Sequence, residues 1–454
     1  MSEVRSIDSP DQTRHFPLLV VLCAGMFMAI LDVNVITIAI VSIQSEFHAS
    51  VSAITWAVDA YNLTLAGFML CAGMLADRYG ARCLWIVGVT VFSGASLACG
   101  LSGSIEQLIV LRLLQGAGAA MFIPASFSLM PVIWPDSVVR QRAIGLFGGI
   151  VAIAAAAGPI LGGFLVSYFS WRSVFLINIP IGLCAIVAAY WLLPAVDGHR
   201  DQKGDLAGQC LGFATLAGIS FILIQLPVLG WRDGLMQAIA VISLSTGAGF
   251  ITVERYCASP AIPAILFRHS RFNVANLTGL LVNACYFGGI YVLSLLLQQR
   301  LSYSPLQTGM ALLPLAVCLM AGNLLAGRMM VRLGVKKQMV AGLLLSACGY
   351  LGMLCLQQRI TPIVIISMAL LAGGTAFVVP PMTVTVLRSA PLSMTGTASA
   401  IHTTLRQIGS LLGIALASLA FTLLNSPLLL LMPLYALIHI LLALTLWRLT
   451  WIDD

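Results

Sequence analysis

Long apolar segments follow one another along the whole chain and constrain its fold more than any other feature. Because an α-helix rises about 1.5 Å per residue, about 20 apolar residues cross the hydrocarbon core of a bilayer. Fourteen segments reach or approach this length, at residues 17–43, 52–76, 83–103, 105–131, 140–167, 171–193, 206–228, 234–255, 272–298, 305–329, 338–356, 361–387, 397–424 and 427–447. We therefore predict an all-α integral membrane protein with fourteen transmembrane helices.

The composition argues against a soluble protein. Of the 454 residues, 60% are hydrophobic and 9% are charged, whereas soluble domains carry about 25% charged residues. Residues 1–15 are polar and the first apolar segment is long enough to span, so we expect no cleavable signal peptide. The eleven cysteines lie mostly inside apolar segments and form no CxxC pair. We therefore expect neither a metal site nor a disulfide framework.

The basic residues predict the orientation of the chain. An even number of spans places both termini on one side, and 17 of the 23 Lys and Arg residues then fall on that side. Four fall on the other side, and Arg112 and Arg406 lie within spans. Because basic residues concentrate in cytoplasmic loops, we expect both termini in the cytoplasm and the chain in the bacterial cytoplasmic (inner) membrane. The net charge of +7 follows from this bias and does not indicate nucleic-acid binding.

An internal repeat divides the chain into two halves. Residues 73–82 follow the second span, and residues 327–336 follow the tenth span at an offset of 254 residues with the same pattern G-x4-R-x-G-x-[RK]. A weaker similarity relates residues 158–162 to residues 409–413. Repeats of this kind are typical of transporters. We predict two six-helix bundles at 17–193 and 272–447, a linker with two inserted helices at 194–271, and cytoplasmic tails at 1–16 and 448–454.

Acidic residues are scarce inside the spans, where only Asp32 and Asp59 occur. No acid lies between Arg255 and Ile452, so a carboxylate that binds a proton or cation in the membrane must come from the first two helices. A charge at the centre of a spanning helix costs about 2.5–3.5 kcal/mol. We therefore expect Asp32 to face a wet cavity and to have a function there. The alternative for both acids is a structural hydrogen bond or ion pair.

Arg112 opens the fourth span and shares one helix face with Gln115 and Gly116, which lie three and four residues further on. A buried guanidinium needs an anionic partner, and at its estimated depth Asp59 is the expected one. A proton or a substrate could break such a pair, or the pair could be permanent and structural.

Polar side chains recur at helical spacing in the second half of the chain. They are Asn276, Gly279, Asn283 and Tyr286 in span nine, and Ser399, His402, Arg406 and Gly409 in span thirteen. These two stripes either face a shared central cavity or hold neighbouring helices together by hydrogen bonds. His402 is a candidate proton relay or a structural residue.

Several motifs occur in a characteristic order. In the first half they are Leu31-Asp32 with Asn34-Val35, Trp56-x4-Tyr61-x-Leu63, residues 73–82, Arg112 with Gln115-Gly116, Gly158-Pro159-x2-Gly162-Gly163 and Trp171-Arg172-x2-Phe175-x-Ile177-Asn178-x-Pro180-x-Gly182. In the second half they are Ser304-Pro305-Leu306 with Gly309, Leu313-Pro314, and Leu405-Arg406-Gln407-x-Gly409. With these motifs the chain resembles the major facilitator superfamily, and within it the fourteen-helix drug:proton antiporters of the quaternary-ammonium and methyl-viologen efflux type.

The resemblance implies roles for particular residues. Proton coupling is expected at Asp32, Asp59 and Arg112. Substrate binding is expected at Asn34, Trp56, Tyr61, Gln115, Asn276, Asn283, Tyr286, His402 and Arg406. A conformational latch is expected at Gly73, Asp77, Arg78, Gly80 and Arg82, and an antiporter motif at Gly158, Pro159, Gly162 and Gly163.

The functional prediction is therefore a proton-coupled antiporter that exports small hydrophobic, cationic drugs or biocides by alternating access. Several members of the family that this chain resembles export divalent cations and carry further acids in their late spans. This chain has none there, so the resemblance favours monovalent or zwitterionic compounds over bulky dications. A dedicated exporter of an endogenous metabolite, siderophore or amino-acid derivative is the alternative, and a non-transporting receptor, scaffold or membrane enzyme is a third possibility. We expect no enzymatic activity, no cofactor other than the proton gradient, and a monomer whose partners are substrate, protons and the lipid bilayer.

Overall fold

The structure is a computed structural model that describes residues 12–195, 206–257, 262–356, 360–391, 394–424 and 426–448. All regular secondary structure in these ranges is helical. The helices are α1 (Gln12–Phe47), α2 (Val51–Tyr79), α3 (Ala81–Gly100), α4 (Ile105–Ile133), α5 (Ser137–Tyr168), α6 (Ser173–Leu176), α7 (Asn178–Leu192), α8 (Leu206–Leu229), α9 (Gly234–Tyr256), α10 (Ser270–Leu295), α11 (Pro305–Leu333), α12 (Val335–Gly352), α13 (Pro362–Ser389), α14 (Thr395–Leu423) and α15 (Pro427–Arg448).

The prediction of an all-α membrane protein is confirmed. Among the described residues, 13 helical segments are long and apolar enough to cross a membrane, with α6 and α7 together forming one of them. The remaining predicted span is α2, which has 29 residues and carries the buried polar side chains of Asp59 and Asn62 in its interior. The helix α1 begins at Gln12, before the predicted boundary, because hydropathy detects the apolar part of a helix and not its polar first turn.

The helices form two units that we name by their elements. The first unit contains α1–α7, the second unit contains α10–α15, and the insert contains α8 and α9. We call the end of the molecule where α1 begins and α15 ends the near end, and the opposite end the far end. The units meet along two seams, α5 against α11 and α2 against α14, and α8 packs on α2 and α14 beside the second seam.

Side-chain caps define several helix starts at the far end. The hydroxyl groups of Ser50 and Ser104 accept hydrogen bonds from backbone N–H groups in the first turns of α2 and α4. Ser304 and Gln307 form a reciprocal capping box at the start of α11, where Pro305 occupies the first turn. These caps satisfy N–H groups that a helix start leaves without partners.

The internal repeat predicted from the sequence has a structural counterpart. Gly80 joins α2 to α3 with φ of 91°, and Gly334 joins α11 to α12 with φ of 76°. Each glycine donates its backbone N–H to the carbonyl four residues earlier, Ala76 and Met330 respectively. A positive φ strongly favours glycine, so the same tight turn at the near end explains the glycine in both copies of the motif.

The two units touch at the far end of both seams. An added methyl group at Gly163 of α5 would lie 2.8 Å from the carbonyl oxygen of Pro305, and one at Gly309 of α11 would collide with the carbonyl of Pro159. In the other seam the hydroxyl of Thr55 is 2.6 Å from the hydroxyl of Ser418. The far end is therefore closed by direct contact between the units.

The units separate toward the near end. Gly145 lies on the same face of α5 as Gly163, Gly327 on the same face of α11 as Gly309, and Gly73 on the same face of α2 as Thr55. Eighteen residues, about five helical turns, separate the members of each pair. Among the described residues, no atom lies within 4 Å of a methyl group placed at Gly145, Gly327 or Gly73. The space between the units consequently opens at the near end.

Candidate functional site

Asp32 lies in the middle of α1 and is 1% exposed. Its Oδ2 atom accepts a hydrogen bond from Nη1 of Arg112, and the two side chains form an ion pair. Its Oδ1 atom accepts a hydrogen bond of 2.9 Å from Nε2 of Gln115. Both carboxylate oxygens are therefore held by donors from α4, which is the arrangement that a buried charge requires.

Arg112 is fully buried and has several partners besides Asp32. Its Nε atom donates to the carbonyl of Ala57 at 3.0 Å, and Nη1 also donates to Oε1 of Gln115 at 2.6 Å. The Cζ atom lies 4.5 Å from the ring centroid of Tyr61, within the range of a cation–π contact. The guanidinium thus links α1, α2 and α4.

Two further residues extend this group of side chains. The Nε2 atom of Gln115 donates to Oγ of Ser96 at 2.7 Å, and Nδ2 of Asn178 donates to the same Oγ at 3.5 Å. We call the set Asp32, Tyr61, Ser96, Arg112, Gln115 and Asn178 the polar network. Ser96 was not predicted from the sequence and has no distinguishing pattern there, whereas Asn178 belongs to the motif at span six.

The predicted pairing of Arg112 with Asp59 is wrong, since Arg112 pairs with Asp32. Counting residues from helix ends estimates depth, but it does not say which way each side chain points around its helix. The expectation that Asp32 faces a wet cavity is also wrong in this conformation, because Asp32 is buried within the polar network.

Asp59 occupies a different environment near the α2–α14 seam. It is fully buried, and among the described residues neither carboxyl oxygen has a hydrogen bond of normal geometry, although the side chain of Asn62 is a polar neighbour. Thr55, one turn earlier, lies 2.9 Å from the hydroxyl of Tyr291 and bonds to Ser418 in the second unit. An ionised carboxylate without a counter-ion is costly to bury. Asp32 has Arg112 as its counter-ion, whereas Asp59 has none among the described residues.

In the second unit, the two predicted polar stripes meet. Nδ1 of His402 and Oδ1 of Asn276 lie 3.0 Å apart, while Nδ2 of Asn276 donates to the carbonyl of Phe272. A methyl group at Gly279 would lie 2.9 Å from the His402 ring and 3.1 Å from Cγ of Arg406. The small residue at Gly279 thus makes room for both side chains.

Other predicted substrate-binding residues make contacts within the protein. Trp56 packs on Phe221 of the insert, with ring centroids 6.3 Å apart. Asn34 bonds to the carbonyl of Ile30 and lies against Gly158. Asn283 donates to the carbonyl of Gly279. Tyr286 is buried in the apolar core beside Phe287, while Tyr61 and Gln115 belong to the polar network.

The predicted latch residues lie at the near end of α2 and α3. Arg82 donates to the carbonyl of Tyr190 in α7, and its Cζ lies 5.7 Å from that ring. Arg78 stacks on Tyr79 at 5.4 Å. The side chain of Asp77 lies outside the described part of the structure, so its predicted contacts stay a prediction.

The predicted antiporter motif lies where α5 meets two other helices. Methyl groups at Gly158 and Gly162 would lie 2.5 Å from Cβ of Asn34 and 3.0 Å from Cγ1 of Val35 in α1. Gly163 and Pro159 contact α11 in the seam. Small residues at these positions let the helix backbones approach closely.

This architecture of two related helical units, with an ion pair buried inside the first of them, is that of a multi-pass membrane transporter. Residues 22–414 match the family model described as Major Facilitator Superfamily. The chain belongs to that superfamily, and the predicted fold is confirmed.

Similar proteins are named for drug resistance and efflux. The chain is 35% identical over 418 residues to the methylenomycin A resistance protein of Bacillus subtilis (strain 168), covering 92% of this chain and 90% of that protein. It is 33% identical over 404 residues to the tetracenomycin C resistance and export protein of Streptomyces glaucescens, covering 88% and 75%. The multidrug resistance protein Stp of Mycobacterium tuberculosis (strain CDC 1551 / Oshkosh) is 31% identical over 393 residues, with coverage of 86% and 73%. The prediction of a transporter of the drug-efflux type, and not an enzyme, is confirmed.

Solved structures of the same fold belong to more distant proteins. A POT family transporter in complex with a thioalcohol-conjugated peptide superposes with a TM-score of 0.74, covers 95% of both chains and is 13% identical. At this identity the similarity describes the fold alone.

Proposed function

We propose that this protein is a proton-coupled exporter of small hydrophobic drugs in the bacterial cytoplasmic membrane. The observation that carries the proposal is the buried ion pair of Asp32 and Arg112, which lies inside a spanning helix and is surrounded by hydrogen-bonding side chains. Ionisable residues at such depth are costly and mark ion or proton pathways in membrane proteins. The resistance proteins among the relatives support the class of substrate.

The distribution of basic residues supports an orientation with the near end in the cytoplasm. In that orientation the space between the units opens to the cytoplasm and is closed toward the outside by the Gly163, Gly309 and Thr55 contacts. This conformation is the one that takes up a drug from the cell interior. Export then requires the far end to open and the near end to close.

The polar network gives a physical route from a proton to this rearrangement. Protonation of Asp32 removes the counter-ion of Arg112, and a buried charge that loses its partner is strongly destabilised. Arg112 also bonds to the Ala57 carbonyl, which lies two residues from Thr55 in the α2–α14 seam. A change in the charge of Asp32 therefore acts on the helix that holds the far end closed.

Asp59 is the second acid that takes part in proton exchange in this proposal. Among the described residues no cation pairs with the carboxyl group of Asp59, and the side chain of Asn62 is a polar neighbour, so we take Asp59 as the second group that exchanges a proton. Opening of the far end would expose the α2–α14 seam and give Asp59 contact with water. Drug release and proton exchange would then occur from the same side of the membrane.

Purified protein in liposomes with internal pyranine tests the coupling. We expect addition of a transported drug to cause proton movement across the membrane in the wild type and none in Asp32→Asn. Asp233→Asn is a matched control, because Asp233 caps α9 outside the spans and asparagine caps equally well. Drug-driven proton movement at the wild-type rate in Asp32→Asn would contradict the assignment.

A growth panel separates this function from the export of a single endogenous compound. We expect expression in an efflux-deficient bacterial strain to protect against several chemically unrelated hydrophobic drugs. Protection against one scaffold alone would favour the dedicated exporter.

A further inference from the structure

We propose, on the basis of the export function above, that the transported drugs are acids and that Arg406 binds their anionic group. Three observations support it: the position of Arg406, the balance of charges between the two units, and a neighbouring histidine with one ring nitrogen that has no hydrogen-bond partner among the described residues.

The aliphatic stem of Arg406 packs inside the second unit. A methyl carbon added at Gly279 of α10 would lie 3.1 Å from Cγ of Arg406 and 3.3 Å from Sδ of Met382 in α13, so the stem of Arg406 packs between these helices. The side chain is nevertheless half-buried and not fully enclosed. Because its stem contacts the helices of the second unit, and because a guanidinium in lipid is costly, we place its exposed part toward the space between the units as a step of this proposal.

The charge of Arg406 is not balanced by the protein. The second unit has no acid in its sequence, since none occurs between Arg255 and Ile452. In the first unit, Asp32 is already paired with Arg112, and Asp59 is buried near the far end of the α2–α14 seam. Among the residues that the structure describes, no carboxylate lies within salt-bridge distance of Arg406, and its buried Nε atom has no hydrogen-bond acceptor.

His402 provides a second, independent observation at the same place. It is 2% exposed, and its Nδ1 atom is engaged by Asn276. Its Nε2 atom has no hydrogen-bond partner in the part of the chain that the structure describes. A buried polar atom without a partner is uncommon in native structures, and here it lies one helical turn from the unpaired guanidinium.

These two side chains define the chemistry of a ligand. A guanidinium donates two parallel hydrogen bonds to a carboxylate, and its strongest partners are anions. Since Asn276 uses its Oδ1 atom as an acceptor, Nδ1 of neutral His402 is the donor and Nε2 is an acceptor. A hydrophobic acid that also carries a hydroxyl or N–H group matches both.

A cation fits the same space poorly. It would meet the positive charge of Arg406, beside which no carboxylate lies among the described residues, and like charges in a low-dielectric environment repel strongly. The cationic substrates expected from the family resemblance are therefore replaced in this proposal by acids.

The substrate charge can be tested without any variant. An efflux-deficient bacterial strain that expresses the full chain is challenged with hydrophobic antibacterials in three charge classes, represented by fusidic acid, chloramphenicol and ethidium. We expect the strongest protection against the acids. Protection limited to neutral or cationic compounds would overturn this proposal and leave the export function standing. No protection in any class would overturn both.

The role of Arg406 is tested by substitution. Since a hydrogen bond to a charged group is worth about 1.5–3 kcal/mol, we expect Arg406→Gln to weaken the apparent affinity for the protective acid by about tenfold or more. Arg406→Lys keeps the charge and should retain part of the affinity. Arg300→Gln, at an exposed position beyond α10, is the matched control and should behave like wild type. Unchanged transport of the acid in Arg406→Gln, at equal abundance in the membrane, would overturn the proposal.

Discussion

Gly145 of α5 and Gly327 of α11 stand in equivalent positions on the two sides of the open near end. Each lies about five turns from a glycine on the same helix face, Gly163 or Gly309, that is pressed against the other unit. The same faces of α5 and α11 are thus in contact at one end and apart at the other. In the proposed transport cycle, a rotation of one unit against the other would exchange these two ends.

Bulky side chains at the open glycines should block that exchange. In the present conformation no described atom lies within 4 Å of a Cβ atom added at Gly145 or Gly327, so Gly145→Trp and Gly327→Trp start in open space, and their rings would prevent the near end from closing. We expect loss of transport with a melting temperature close to that of wild type. Gly94→Trp is the control, because Gly94 is equally open but lies on α3 outside both seams. Transport at the wild-type rate in the double variant would contradict this prediction.

The Asp32–Arg112 pair should show strong coupling in a double-mutant cycle. Asp32→Asn leaves the buried guanidinium without its counter-ion, and Arg112→Met leaves the carboxylate alone, so each should destabilise the protein by about 3–5 kcal/mol. The double variant removes both charges and should recover part of that loss. Thermal unfolding in detergent measures the effect. Additive losses would show that the two charges do not depend on each other.

Hydrogen bonds of the α2–α14 seam should stabilise the closed far end. Thr55→Val and Ser418→Ala remove a contact between the units that is worth about 0.5–1.5 kcal/mol, so the equilibrium should shift toward the conformation with the near end closed. Spin labels at positions 145 and 327, in a background with the native cysteines replaced, report the distance across the near end. We expect shorter distances in the variants. Thr90→Val, whose hydroxyl bonds only within α3, should leave them unchanged.

An ion pair at the far end should contribute little. Nη1 of Arg172 lies 2.6 Å from Oε1 of Glu46, and the two side chains are 32% and 42% exposed. Oε2 of Glu46 also accepts a hydrogen bond from Nε1 of Trp171. Exposed pairs contribute about 0–1 kcal/mol, so Glu46→Gln should change the melting temperature only slightly and leave transport intact. A large loss of stability would mean that this contact closes the far end.

Local features of the chain determined much of the architecture. Hydropathy located the helices, because crossing a bilayer requires a continuous apolar segment of known length. The repeat of residues 73–82 and 327–336 indicated two related halves, and the structure gives the glycine at the same position of both copies, Gly80 and Gly334, a positive φ. The isolated acids Asp32 and Asp59 were identified because a charge in a membrane is costly wherever it sits on the helix.

Only the tertiary structure decided which of these groups meet. It paired Arg112 with Asp32 and not with Asp59, brought Ser96 and Asn178 into the polar network, and turned Trp56 toward the insert. It also distinguished Gly145 from Gly163, which look alike in the sequence. Sequence spacing sets depth along one helix, whereas pairing depends on the rotation of each helix about its axis and on its packing against distant segments.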